Sequence, residues 1–151
     1  MARDIRIIHA HDFVSATPNG QLNLEASEQL MRDVVGLSQP LQEFDILVDT
    51  RGAASTLSAT DLWFLADRMV NYPKTFAGRI AILCPTGRFD HASFFSLCAG
   101  NKGMDMQAFT SYEEAMKWLN GARRGLGQRG LNNERARRLH RVLHPDPSRA
   151  R

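Results

Sequence analysis

The stretch Phe44–Leu62, FDILVDTRGAASTLSATDL, decides how the rest of the chain is read. Phe44, Ile46 and Val48 alternate with Asp45, Leu47 and Asp49, and Leu47 makes both faces apolar, as in a central strand covered on both sides. A polar turn follows. Then Leu62, Leu65, Ala66 and Met69 recur at i, i+3, i+4 and i+7, the spacing of a helix docked by one face. Ser58, with Asp61 three residues later, resembles a capping box at its start, and Tyr72-Pro73 ends it. A strand running into a helix start is where α/β proteins usually place their ligands.

Two more strand–helix units follow downstream. Arg79–Cys84, RIAILC, predicts a second covered strand stopped by Pro85, and Thr86-Gly87-Arg88 a turn. Asp90 is expected to cap the next helix, whose buried side includes Phe94, Phe95 and Cys98 and which ends near Gly100–Gly103. Asp105–Phe109 alternates as a half-buried strand. Ser111 with Glu114 forms a capping box for a last helix, with Tyr112, Ala115, Met116 and Leu119 as its stripe.

Upstream, Ile5–Ile8 and Phe13–Ala16 read as two short strands joined within His9–Asp12. Thr17-Pro18-Asn19-Gly20 is a strong turn signal. Asn23 caps a helix through about Leu37, with Leu30, Met31, Val34 and Val35 inward, closed by Ser38-Gln39-Pro40. The pattern is α/β: an N-terminal hairpin, then alternating helices and largely parallel strands.

The 151 residues suit one domain with a sizeable core, and 43% hydrophobic with 23% charged residues is ordinary globular composition. No apolar run is long enough to span a bilayer. The opening MARDIRIIHAHDF breaks its apolar cluster with His and Asp, unlike a signal peptide, so a cytoplasmic address is expected. Cys84 and Cys98 sit in apolar company and read as buried free thiols. The net charge of +3 is unevenly placed. Residues 1–120 carry ten Lys/Arg against fourteen Asp/Glu, net −4, while residues 121–151 carry nine Arg against Glu134 and Asp146, net +7. The expected division is therefore a domain over 1–120 and a basic Gly/Arg-rich tail over 121–151, with a short helix at 134–144.

The strand ILVDTRG, the helix signal SATDLWFLADRM, the strand RIAILCP and the close DMQAFTSYEEAMKWL together resemble a STAS-type domain of the SpoIIAA-like group, over Ile5–Leu119. The resemblance implies a mixed sheet flanked by helices, without enzymatic activity, used in regulation or small-ligand binding. In anti-sigma factor antagonists of this fold, a Ser at the start of the helix after the central strand is phosphorylated by a partner kinase. Ser58 falls at the matching place, but Leu57 stands where those proteins carry Asp, and Ser-Ala-Thr replaces their Ser-Ser-Gly. The looser SpoIIAA-like branch is related in shape to CRAL-TRIO lipid-binding domains.

Asp49, Arg51 and Ser58 follow one strand, and Arg88, Asp90 and His91 the next. On neighbouring parallel strands these six reach one sheet edge. Two arginines near a helix start suit an anion, and the resemblance implies a lipid-like ligand as the other candidate. The commoner arrangement is a structural network in which Arg51 pairs Asp49 and Asp90 caps its helix. A small hydrolase or transferase at the edge formed by Asp49, Arg51, Ser58, Arg88 and His91, with Ser55 or Ser58 as nucleophile beside His91 and Asp90, is the alternative. It lacks a Gly-x-Ser-x-Gly elbow, and adjacent Asp90 and His91 cannot easily face each other as base and orienter. No P-loop is present, and neither His9/His11 nor His140/His144 completes a metal set, so no cofactor or metal is expected. The basic tail is expected to contact the protein's own domain, a second copy or an acidic surface. It lacks the interleaved aromatics of single-strand nucleic-acid binders.

Overall fold

The computed structural model describes residues 3–8, 13–41 and 43–124. Its centre is β4 (Asp45–Asp49), the third strand of five. β1 (Arg3–Ile8) pairs antiparallel with β2 (Phe13–Pro18), which runs parallel to β4; β6 (Arg79–Leu83) and β7 (Asp105–Phe109) continue the parallel half. The sheet order is β1-β2-β4-β6-β7. The expected hairpin, covered strands and parallel half are all present. The turn within His9–Asp12, the His9/His11 pair and the tail from 125 onward, with its helix at 134–144 and His140/His144, lie outside the described residues.

Each crossover in the parallel half advances one strand in the same direction. Because such connections are right-handed, their helices share one face. α1 (Leu24–Ser38), α2 (Ala59–Met69) and α3 (Phe89–Asn101) cover that face, packing Leu30, Val34, Ala66, Met69, Ala92 and Ala99 on Val14, Ile46, Ile80 and Ile82. The opposite face packs Phe13, Leu47, Ala81 and Leu83 against Ala115 and Leu119 of α4 (Tyr112–Arg124). Strand parity does the sorting: Ile46 and Val48 point to one layer and Leu47 to the other.

Local signals mark the helix starts as read. Asn23 accepts the Ala26 N–H at 2.8 Å. Ser58 and Asp61 form a reciprocal capping box, with Oγ accepting the Asp61 N–H at 3.1 Å and Oδ2 accepting the Ser58 N–H at 2.9 Å. Ser111 accepts the Glu114 N–H at 3.4 Å.

Three expectations are corrected. The turn signals at 17–20 and 50–57 conceal a second, two-stranded parallel sheet, β3 (Gly20–Leu22) on β5 (Ala53–Ser55). Gly20, the first residue of β3, takes a left-handed φ of 74°, a conformation that glycine adopts without strain. Asp90 does not cap α3. A single 3-10 turn at Thr86–Arg88 runs straight into the helix, the Arg88 N–H already bonds the Pro85 carbonyl at 3.0 Å, and Asp90 sits inside the first turn. Phe94 is exposed, because α3 packs through Ala92, Cys98 and Ala99 instead. The last helix itself runs on through Gly121 to Arg124; one glycine costs only about 1 kcal/mol in a helix.

At the start of β4, Asp45 is 1% exposed and accepts the Arg79 N–H at 2.9 Å. The Arg79 guanidinium lies 4.8 Å from the Trp118 ring centre, donates to the Trp118 carbonyl at 3.1 Å and faces Asp105 at 3.4 Å. This cluster ties α4 to the sheet. By their internal contacts the residues divide into two units, Met1–Leu119 and Asn120–Arg151. The site described below lies in the first.

Candidate functional site at the strand ends

The six candidate residues stand near the C-terminal ends of β4 and β6, but the sheet separates them. Asp49 shares the parity of Leu47 and so belongs to the α4 face, whereas Thr50 shares the parity of Val48 and belongs to the α1–α3 face. On the first side, Arg51 grips Asp49 through Nε at 3.0 Å and Nη2 at 2.9 Å, and its N–H adds a bond to Oδ1 at 3.1 Å. Partial burial pushes the Asp49 carboxyl up, but the hydrogen bonds and charge of Arg51 outweigh it and leave it below the usual carboxylate range. Arg51 is held more firmly protonated, mainly by its hydrogen bond to Asp49, with a smaller contribution from Tyr112. The pair satisfies itself.

On the other side, Thr50 locks the strand ends together. Its N–H and Oγ1 both donate to the Leu83 carbonyl, at 2.8 and 2.9 Å, and its own carbonyl accepts from Arg88 Nη2 at 2.6 Å. Arg88 thus bridges the start of α3 to the end of β4. Burial pushes the Cys84 thiol up, and the Arg88 charge partly opposes this; Cys84 is one of the residues lining the cavity wall.

Beneath Arg88 lies a cavity of about 150 Å³ between the sheet and helices α1–α3. Its floor is Ile46, Ile80, Ile82 and Met106, and its walls include Leu30, Leu65 and Ala92. Polar groups gather at one end, where Thr50, Ser55, Arg88 and His91 meet the β3–β5 ribbon, which contributes Leu22. The lining runs from buried Ile46 to exposed His91, so the cavity opens to solvent at that end.

Ser58 is exposed, and its side chain is engaged in the capping box; the preceding Leu57 is a cavity residue. Among the described residues His91 is hydrogen-bonded to none of Ser55, Ser58 and Asp90, and Ser55 Oγ instead accepts the Leu57 N–H at 3.3 Å. No group of three metal-ligating side chains is assembled among the described residues. The structure therefore brings Arg88 and His91 together, pairs Asp49 with Arg51 on the opposite face, and leaves Asp90 and Ser58 outside the cavity lining. Thr50 and the cavity itself were not anticipated from the sequence, and Ser55, read there only as an alternative nucleophile, is a lining residue. The parity of β4 is the signal that points to Thr50.

No protein-family model matches the chain. No curated protein matches it either. Among solved structures it is similar to an uncharacterized protein of the DUF3478 family, with a SpoIIAA-like fold, from Shewanella loihica PV-4. The TM-score is 0.55 at 19% identity, covering 78% of this chain and 92% of that one. The protein thus has a SpoIIAA-like α/β fold. No described helix is long and apolar enough to cross a membrane.

Proposed function

We propose that the protein is a non-enzymatic binding module that takes a small, largely apolar ligand between its sheet and helices α1–α3. The observation that carries this reading is the apolar cavity of about 150 Å³ with a polar mouth at the strand ends. Cores normally pack without such space. An apolar site with a few convergent polar groups at the ends of parallel strands is the usual form of a small-ligand pocket.

The proposal includes regulation through Ser58 in a cytoplasmic setting. Ser58 is exposed at the start of α2, and its neighbour Leu57 lines the cavity. A phosphoryl group there would meet the favourable helix N-terminus and the unfavourable Asp61 carboxylate of the capping box, giving a partner kinase a lever on the mouth. A protein partner at this surface, and contacts of the basic tail with the domain, a second copy or an acidic surface, belong to the same proposal. Of the anion-binding set, Arg88 and His91 are retained for the ligand.

Native mass spectrometry of protein from its own cells is expected to show a bound small molecule, and phosphate at Ser58 after incubation with a kinase-bearing lysate. A mass equal to the bare chain, with no thermal stabilisation by any member of a panel of small aromatic and alkyl compounds, would remove the ligand reading. Absence of label at Ser58 would remove the regulatory one.

A further inference from the structure

Arg88 is the feature that names the ligand's chemistry. It is half-buried at the edge of an apolar cavity, and among the described residues one of its five N–H donors is used, by the Thr50 carbonyl at 2.6 Å. Arg51, Arg68 and Arg79 each have a carboxylate within ion-pair distance. Among the described residues no carboxylate pairs with Arg88, and Asp90, two residues along, does not reach it. The bond to Thr50 anchors one nitrogen of the guanidinium at the end of β4 and leaves the rest of its fork for a second group. A planar, delocalised cation with free parallel donors matches a carboxylate. His91 beside it can add another donor.

The size of the cavity bounds the other half of the ligand. An engineered apolar cavity of the same volume in another protein takes benzene. The space beneath Arg88 therefore holds one ring or a short alkyl chain, and a long acyl chain does not fit. We infer that the ligand is a small amphiphilic carboxylate, an arylalkanoate or short-chain fatty acid, whose apolar body fills the cavity and whose carboxylate is held by Arg88. This inference rests on the binding reading above and adds the anionic head and the size limit.

The test compares 3-phenylpropanoate, its neutral counterpart 3-phenyl-1-propanol and palmitate, by calorimetry on the full chain and on Arg88→Met and Arg88→Lys. A charge-assisted fork to a carboxylate predicts at least about tenfold tighter binding of the acid than of the alcohol. Arg88→Met should remove that preference while changing the alcohol's affinity by less than about twofold, and Arg88→Lys should keep part of it. Palmitate should not bind one-to-one in competition with 3-phenylpropanoate. Equal binding of acid and alcohol by the unaltered protein overturns the Arg88 anchor and leaves the cavity reading standing. A preference that survives in Arg88→Met overturns it too, because the carboxylate is then held elsewhere. Competitive one-to-one binding of palmitate overturns the size limit. If neither phenyl compound binds, the cavity reading fails and this inference fails with it. The comparison of acid with alcohol on the unaltered protein needs no variant to fold.

Discussion

Ala92→Leu is expected to make the protein more stable and less able to bind. Ala92 is on α3, 8% exposed, and lines the cavity wall. Leucine adds three carbons, worth about 0.8 kcal/mol each if fully buried, or roughly 2.4 kcal/mol. Ordering the longer side chain costs about 0.5–1 kcal/mol, and the loss of helix propensity from Ala to Leu is small. The net gain is then roughly 1–2 kcal/mol. At about 150 Å³ the cavity has room for the three added carbons without the strain of an overpacked core. For a chain of this length the gain corresponds to a rise in Tm of about 3–6 °C. Urea unfolding followed by circular dichroism checks it, with Cm raised and the slope unchanged. The same variant should lose most of its thermal stabilisation by 3-phenylpropanoate. A loss of more than about 1 kcal/mol with binding intact would refute the reasoning, because the space would then not exist where α3 meets the sheet.

Gly78→Ala should destabilise strongly. An added Cβ would meet the Phe44 carbonyl oxygen and crowd Asp45 Oδ1 at 2.8 Å, disturbing the bond to the Arg79 N–H. A loss of about 3 kcal/mol in urea is expected, and an unchanged Cm would contradict it. Asp49 has a lowered folded pKa, so its contribution is present above the ordinary carboxylate value and fades as pH falls through the folded value. Asp49→Asn should therefore flatten the stability profile below about pH 4, by less than about 1 kcal/mol because the Arg51 partner is half-exposed; an unaltered acid limb would count against the pair. Ser58→Ala removes the α2 cap and should cost about 1 kcal/mol, whereas Ser58→Asp should recover most of it; equal losses in both would show that capping is not the cause.

Features set by neighbours in sequence could be read in advance. The β4 alternation, the α2 stripe and the three caps at Asn23, Ser58 and Ser111 depend on spacing of two to four residues, and each stands where expected. The β3–β5 sheet was hidden because three-residue strands carry almost no periodicity and are held by pairing between Gly20–Leu22 and Ala53–Ser55, far apart in sequence. Asp90 looked like a cap because acidic residues favour helix starts, and the 3-10 turn at Thr86–Arg88 removed the break a cap needs. The site was half legible. Arg88 and His91 were singled out for charge and position, but parity separates them from Asp49 and Arg51, and that rule was already available in the alternation of β4. The cavity had no sequence signal, since it is the space left between side chains of several elements.

The central claim is that a small ligand occupies the space between the sheet and α1–α3. Isoleucine methyl spectra recorded during titration of the full chain with 3-phenylpropanoate test it most directly. Ile46, Ile80 and Ile82 line the cavity, whereas Ile5 and Ile7 lie on β1 at the sheet's outer edge and do not. Saturable shifts at Ile46, Ile80 and Ile82, with Ile5 and Ile7 unmoved, are the predicted result. Shifts confined to the β1 methyls, or no saturable change at any isoleucine, would contradict it.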